Sequence, residues 1–330
     1  MQAMLYYLCA ALHLSVLTEP RKCGGYCILW VGQPMKDRYS ILIYGAGVIG
    51  SIYAIKLSEA GFDVTVYARS TRLADLRANG LLYNDKGAIR KASIKVSERL
   101  SANEIYDYII VAVRHEQVET ALAELAGNGS VNIVTMANNP DGYSKWESIV
   151  GANRLLPAFP GAGGRIENGV LHYQLTPKIV QPTTFGEING EKTTRLKELA
   201  VIFKASRIPY SISDNMDAWQ KSHIALVVSL ASGFYFDGGD NYSTAKNKEA
   251  VHMSSSLARK NFNSLKRIGI PITPRKLNIF RVCPLWLMDY LLSLIFNTRF
   301  AETVMASHAI IAKDEMHKLR KKLDELIRQE

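Results

Sequence analysis

Disulfide scaffolds need dense cysteine, and this chain has four cysteines in 330 residues. Three of them, Cys9, Cys23 and Cys27, fall near the start, and Cys283 lies far from all three. No disulfide framework follows from that distribution. Cys23-x3-Cys27 is half of a metal motif, but no second Cys or His pair follows at a zinc spacing, so no metal is expected. Sparse cysteine fits a reducing, cytoplasmic setting. Long apolar runs are also missing. Residues 4–17 (MLYYLCAALHLSVL) are too few for a comfortable span and lack the basic start of a secretory signal. Leu285–Phe296 is short and contains Asp289, so it reads as a buried helix. No repeat or low-complexity stretch occurs, which excludes collagen-like chains and coiled-coil rods. Acid is the minority charge: 30 Asp and Glu against 40 Lys and Arg give a net charge of +10. A basic surface can attract nucleic acid, membrane or a small anion. The basic tail KDEMHKLRKKLDELIRQE alternates acids with bases and no nucleic-acid motif accompanies it. Neither nucleic acid nor a membrane is expected as a partner.

What remains is a chain long enough for two domains at roughly 150 residues each. Tyr39–Tyr44 (YSILIY) is a short β-prone run ending at Gly45-Ala46-Gly47-Val48-Ile49-Gly50. Ser51–Ala60 has helical spacing, Gly61 stops it, and Phe62–Ala68 alternates like a strand. This is a βαβ unit. Ile105–Val113 is continuously apolar, as a strand buried on both faces should be. Val118–Leu125 reads as a helix, and Val131–Met136 as a strand. Leu155–Phe159, Gly169–Tyr173 and Lys178–Phe185 extend the sheet, Thr193–Ala205 is a helix, and Pro209–Ile212 is a last short strand. After Asn215 the pattern turns helical: Met216–Ala231, Ser243–Ile268, Leu285–Phe296 and Phe300–Ile327. The expected fold class is α/β followed by all-α: an N-terminal Rossmann-type, doubly wound sheet and a helical C-terminal domain. The expected units are an extension over 1–36, a dinucleotide-binding domain over 37–213, and a helical substrate and dimerisation domain over 214–330. Met35 precedes the strong motif closely, so residues 1–34 read as an appendage or a mis-assigned start.

The glycine motif follows a strand and opens a helix, the context that gives it meaning. Gly45 permits a tight turn, Gly47 lets a pyrophosphate approach, and Gly50 lets helix and strand touch. Free N–H groups of Ala46, Val48 and Ile49 at the helix start then face the phosphates. The plain alternative is a glycine-rich turn without a ligand. At the end of the second strand stands Ala68-Arg69-Ser70-Thr71-Arg72, with no acid to hold a ribose 2′-hydroxyl. Guanidinium pairs with a 2′-phosphate instead, so NADP(H) is expected, with Arg69 as main contact and Arg72 as a second. Arg114 ends another strand and is a candidate for a cofactor phosphate or a substrate carboxylate.

With these residues in view, the chain resembles the ketopantoate reductase (2-dehydropantoate 2-reductase) family. The likeness runs from about Tyr39 to the C-terminus and is best in ILIYGAGVIGS, the Arg69 loop, VAVRHEQ, MANN and MDAWQKSH. The resemblance implies a Rossmann domain, a helical domain, a cleft between them, and NADPH-dependent reduction of a branched 2-oxo acid in pantothenate biosynthesis, with a homodimer as the assembly. It matches Lys221 to the family's catalytic lysine, Asn138 to the asparagine beside nicotinamide and substrate, and Gln117 to the glutamine after the fourth strand. Arg114 stands where the family usually has Lys. The departures are Asn138-Asn139 for the family's Asn-Gly, and Ala225 and Ser229 for two asparagines after the lysine. The late Ser and Thr-Glu-Ile-Asp signature is missing, and Glu315 is the nearest acid in a similar setting.

Chemically, an ammonium aimed at a ketone oxygen stabilises the forming alkoxide and protonates it, which is the role expected of Lys221. His223 is a competing acid, though a lone His beside an apolar run is more often packed and hydrogen-bonded. Asn138, Lys221 and Glu315 are the catalytic set that the resemblance implies. The alternatives are an NADP-dependent oxidoreductase with another substrate and a non-catalytic NADP-binding sensor.

Overall fold

The computed structural model describes residues 38–238, 240–306, 309–310 and 312–328. The expected extension over 1–36 lies outside the described residues. Twelve described strands run in chain order as β1 (Ser40–Tyr44), β2 (Asp63–Tyr67), β3 (Leu82–Asp85), β4 (Ala88–Lys91), β5 (Lys95–Ser97), β6 (Tyr108–Val111), β7 (Ile133–Met136), β8 (Leu155–Phe159), β9 (Ala162–Glu167), β10 (Val170–Leu175), β11 (Thr183–Phe185) and β12 (Tyr210–Ile212). Eight of them form one sheet in the order β12-β11-β8-β7-β6-β1-β2-β5. Every neighbouring pair is parallel except β8 with β11. β1 sits between β2 and β6, where the winding reverses direction, and ligands of open α/β sheets bind at the carboxyl ends of strands beside such a point.

The helix α1 (Val48–Glu59) is buried nearly all round, with Ile52, Tyr53, Ala54, Ile55 and Leu57 inaccessible to solvent. A surface helix would show one apolar stripe. α1 has two covered sides because β9 and β10 lie over it while β1 and β2 lie under it. Those outer strands belong to a second sheet, β4-β3-β10-β9. Gly169–Tyr173 was expected to extend the main sheet and instead lies in this second one. The reason is local: Asn168 (φ +50) and Gly169 (φ +79) make the two-residue turn of a hairpin, so β10 folds back antiparallel on β9. Of the stretch Lys178–Phe185, only Thr183–Phe185 is a strand. The other face of the main sheet is covered by α3 (His115–Leu125), which begins three residues before the expected start, and by α4 (Ser144–Val150). α2 (Ser70–Asn79) follows β2, and α5 (Thr194–Ala205) precedes β12.

From Met216 onward the described residues form helices and turns only. α6 (Met216–Phe236) is the spine. The expected helix Ser243–Ile268 is two helices, α7 (Asn241–Lys246) and α8 (Lys248–Arg267). Asn247 divides them because its side chain accepts from the Glu249 and Ala250 N–H groups at 3.1 and 3.2 Å, an N-cap that competes with helix continuation. Leu285–Phe296 is α9, but it is not the wholly buried helix expected. Met288, Leu292 and Phe296 face inward, while Trp286 and Tyr290 are exposed. The last expected helix is also interrupted, with a π-helical turn at Ala301–Ala306 before α10 (Lys313–Arg328). Ile224, Val228 and Phe234 of α6 form one core with Phe262 of α8, Phe296 of α9 and Leu319 of α10.

α6 and α8 pack tightly at Gly233, where a Cβ would overlap the Ser254 hydroxyl and stand 2.6 Å from the Ala250 carbonyl oxygen. Overfilling a packed contact costs about 1–3 kcal/mol. Gly233→Ala is expected to destabilise the protein by that amount, read as a lowered urea midpoint; an unchanged midpoint would show that the helices separate freely.

Candidate active site

The carboxyl ends of β1, β2, β6, β7 and β8 deliver, in turn, the glycine loop, Arg69, Arg114, Asn138 and Phe159 to one edge of the sheet. In the glycine loop two of the three glycines are required by contact. A Cβ on Gly45, at φ +111, would stand 2.6 Å from the Ala112 carbonyl oxygen, and one on Gly50 would overlap the Gly45 carbonyl oxygen. Gly47 differs, because a Cβ there would meet nothing within 4 Å. It is the N-cap of α1, no side chain caps that end, and no acid occupies the first turn. Unsatisfied N–H groups, open space above them and no carboxylate are the conditions a pyrophosphate requires.

Arg72 reaches back over this loop. Its Nε donates to the Ala46 carbonyl at 3.1 Å, and its guanidinium pairs with Asp75. Arg69 leads into α2 and is about half exposed. Its Nη1 lies 2.9 Å from Glu124 Oε1, and its guanidinium sits 5.7 Å from the centre of the Tyr67 ring. Glu124 is an acid the local reading of the second strand could not find, since it arrives from α3, 55 residues later. Arg114 is exposed at the N-cap of α3. Gln117 turns its side chain back toward the Arg114 N–H, at 3.4 Å.

Asn138 is almost wholly buried, at 4% exposure. Its Nδ2 donates to Glu315 Oε1 at 2.8 Å, joining two expected site residues that stand 177 positions apart. Its Oδ1 is buried without a hydrogen-bond partner among the described residues. Such a group is rare in folded proteins, and a bound ligand is one of its ordinary explanations. The Asn138 carbonyl is engaged by His115 Nδ1 at 2.7 Å. On either side, Gln220 secures the loop: its Nε2 donates to the Ala137 carbonyl at 3.0 Å and its Oε1 accepts from the Asn139 N–H at 3.4 Å. Gln220, 1% exposed, precedes Lys221, so the start of α6 is fastened beside Asn138. Lys221 is itself mostly buried, and its Nζ lies 2.6 Å from Asp217 Oδ2 one turn earlier. Lys322 of α10 adds a contact to Asp141 at 3.1 Å.

His223 is not an acid held open to the site. Its ring stacks on Trp219 with centroids 5.2 Å apart and lies 4.2 Å from that of Phe159, and it is 7% exposed. Ala225 and Ser229 are fully buried. The Ser229 hydroxyl donates to the Ala225 carbonyl at 2.6 Å and accepts from Asn261 Nδ2 at 2.9 Å, so α8 supplies the amide that α6 lacks. Gln220, Asp217, Glu124 and Asn261 are the residues that reading along the chain missed. Only Asp217 carried a local signal, its i,i+4 spacing to Lys221.

Comparison with known proteins bears on the same residues. Residues 41–190 match the family model described as ketopantoate reductase PanE/ApbA. The uncharacterized oxidoreductase YkpB of Bacillus subtilis is 25% identical over 245 residues, covering 71% of this chain and 77% of the relative. A 2-dehydropantoate 2-reductase of Mesorhizobium japonicum is 30% identical over 130 residues, covering 38% of this chain and 36% of the relative. Among solved structures, D-mandelate dehydrogenase with NADH and anilino(oxo)acetate superposes with a TM-score of 0.62 at 15% identity, covering 86% of this chain and 99% of that one. The fold and the glycine loop thus define a Rossmann-type sheet, and the sequence relatives it matches are oxidoreductases. More narrowly, the chain is similar to the ketopantoate reductase family over residues 41–190, the stretch that family's model matches. Among the described residues no helix is long and apolar enough to cross a membrane, and no cluster of metal-binding side chains occurs.

The three glycines are expected to separate by role. Gly50→Ala should abolish stable folding or lower the melting temperature steeply, whereas Gly47→Ala should leave melting nearly unchanged and weaken nucleotide binding about tenfold or more through lost phosphate approach. Equal melting of the two variants would contradict the contact geometry.

Proposed function

We propose that this protein reduces a small 2-oxo acid to the 2-hydroxy acid with NADPH, ketopantoate or another branched 2-oxo acid being the substrate. The observation that carries the reading is Asn138: a buried amide at the sheet's carboxyl edge, with one end bonded to Glu315 and the other without a partner. When bound, the nicotinamide supplies the hydride. Asn138 Oδ1 has its acceptor capacity left for a bound donor, such as a carboxamide or hydroxyl. Lys221, held by Asp217 and mostly removed from water, stabilises the forming alkoxide and gives it a proton. Glu315 accepts from a substrate hydroxyl, and the exposed Arg114 is available to a carboxylate. Arg69 grips the 2′-phosphate.

The likeness to the ketopantoate reductase family supports this reading, as does the anilino(oxo)acetate named with NADH in the D-mandelate dehydrogenase neighbour. A second reading, an NADP-dependent oxidoreductase with a different substrate, is favoured by one feature. The Ser229 hydroxyl is spent on Asn261 and on the Ala225 carbonyl, so that part of α6 offers a substrate fewer polar groups than two asparagines would.

NADPH fluorescence followed with a panel of 2-oxo acids is expected to show turnover. Binding without turnover on any acid would favour a sensor instead. Lys221→Ala should lower kcat about 10²-fold or more while NADPH binding stays close to wild type; retained activity, lost instead in His223→Ala, would refute the assignment. Arg69→Ala should raise KM for NADPH about fivefold and leave KM for NADH nearly unchanged, the loss expected for one partly exposed charge pair. Equal changes for both cofactors would argue against the 2′-phosphate role.

A further inference from the structure

We propose that Glu124 is a specificity-determining residue that limits how strongly the adenosine subsite prefers a 2′-phosphorylated nucleotide. The proposal rests on the nicotinamide-nucleotide reading above. Glu124 is no loose surface partner of Arg69. While its Oε1 faces the guanidinium at 2.9 Å, its Oε2 accepts from the Tyr44 hydroxyl at 2.6 Å and the Tyr67 hydroxyl at 3.4 Å. Both tyrosines are the last residues of their strands, directly opposite each other in the parallel pairing of β1 and β2, with ring centroids 4.8 Å apart. Burial first, and then the carboxylate beside them, push both phenols up from their ordinary range, so both remain donors. The sheet therefore fixes the carboxylate where it is. It stays beside Arg69 whether or not a nucleotide arrives.

The second arginine of the loop is in the same condition, since Arg72 is paired with Asp75 and bonded to the Ala46 carbonyl. Two guanidiniums face two carboxylates, and the subsite carries little net positive charge. A 2′-phosphate can still take the remaining N–H groups of Arg69, because Glu124 occupies only Nη1. The attraction it gains is offset by repulsion from the anchored acid. A partly exposed charge pair contributes up to about 1 kcal/mol, or roughly a fivefold change in affinity. The site accordingly discriminates between phosphorylated and unphosphorylated adenosine weakly, and removal of the acid sharpens the choice.

The test is calorimetric titration of the full chain with 2′,5′-ADP and with 5′-ADP. The wild type is expected to bind 2′,5′-ADP more tightly, by less than about tenfold, and Glu124→Gln, which keeps an acceptor for the tyrosines, is expected to tighten 2′,5′-ADP about fivefold while leaving 5′-ADP unchanged. Glu124→Asp withdraws the carboxylate by one methylene and should shift the preference in the same direction if the glutamine variant fails to fold. Unchanged or weaker 2′,5′-ADP binding in a folded variant would overturn the proposal even if Arg69→Ala erases the wild-type preference. A wild type that binds neither nucleotide overturns the underlying cofactor reading instead. A wild type that prefers 5′-ADP overturns the 2′-phosphate assignment.

Discussion

Gln220 joins what the chain keeps apart. Its buried side-chain amide bonds the Ala137 carbonyl and the Asn139 N–H, leaving Asn138 between two fastened neighbours. Two backbone groups of a loop would otherwise have to find partners elsewhere, and an unpaired buried backbone group costs about 1–3 kcal/mol. The same pair of bonds fixes where α6 starts relative to the sheet edge. Lys221 follows directly in sequence, with its ammonium on Asp217. The Asn138–Glu315 bond then brings in α10 from the far end of the chain. A carbon side chain at Gln220 would fill the volume and still leave both loop groups unsatisfied.

Around that fastening, the site combines close contact with room. Gly45 and Gly50 have no space for a side chain, whereas Gly47 has ample space. The tight pair holds the strand-to-helix turn rigid, and the open position lets the first N–H groups of α1 be reached from outside. The bulky cluster of Phe159, Trp219 and His223 sits at the end of β8, where it closes the seam between sheet and helices and takes His223 into packing. Charge follows a different rule from shape. The chain as a whole is basic, yet Arg69, Arg72 and Lys221 each stand beside a carboxylate. Net charge thus says little about the local potential that a ligand meets.

Much of the frame was legible from the order of residues. The run YSILIY followed by the glycine motif announced β1, the turn and α1, because the requirement is local: a strand, three glycines and a helix start within a few residues. The continuous apolar run around Tyr108–Val111 announced a central strand for the same reason. The second sheet was less visible. Its strands are short and half-exposed, and apolar spacing alone assigns β10 to the main sheet although Asn168-Gly169 is the turn chemistry of a hairpin. The break at Asn247 is hidden from the sequence because the run keeps its helical spacing across it, and only the cap geometry interrupts it.

Residue order carries the local devices: the βαβ unit with its glycine turn, the basic residues after β2, the change from alternating to helical pattern after Asn215, and, through family likeness, the candidacy of Lys221 and Asn138. Each of these is written within a window of a few residues, where propensity, sterics and spacing act. Tertiary structure alone decided the pairings across long separations: Asn138 with Glu315, Gln220 with the Asn138 loop, Glu124 with Arg69, and Asn261 with Ser229. None has a periodic signature. Each is a polar group whose partner was chosen by the need to satisfy hydrogen bonds once the sheet and the helices had excluded water.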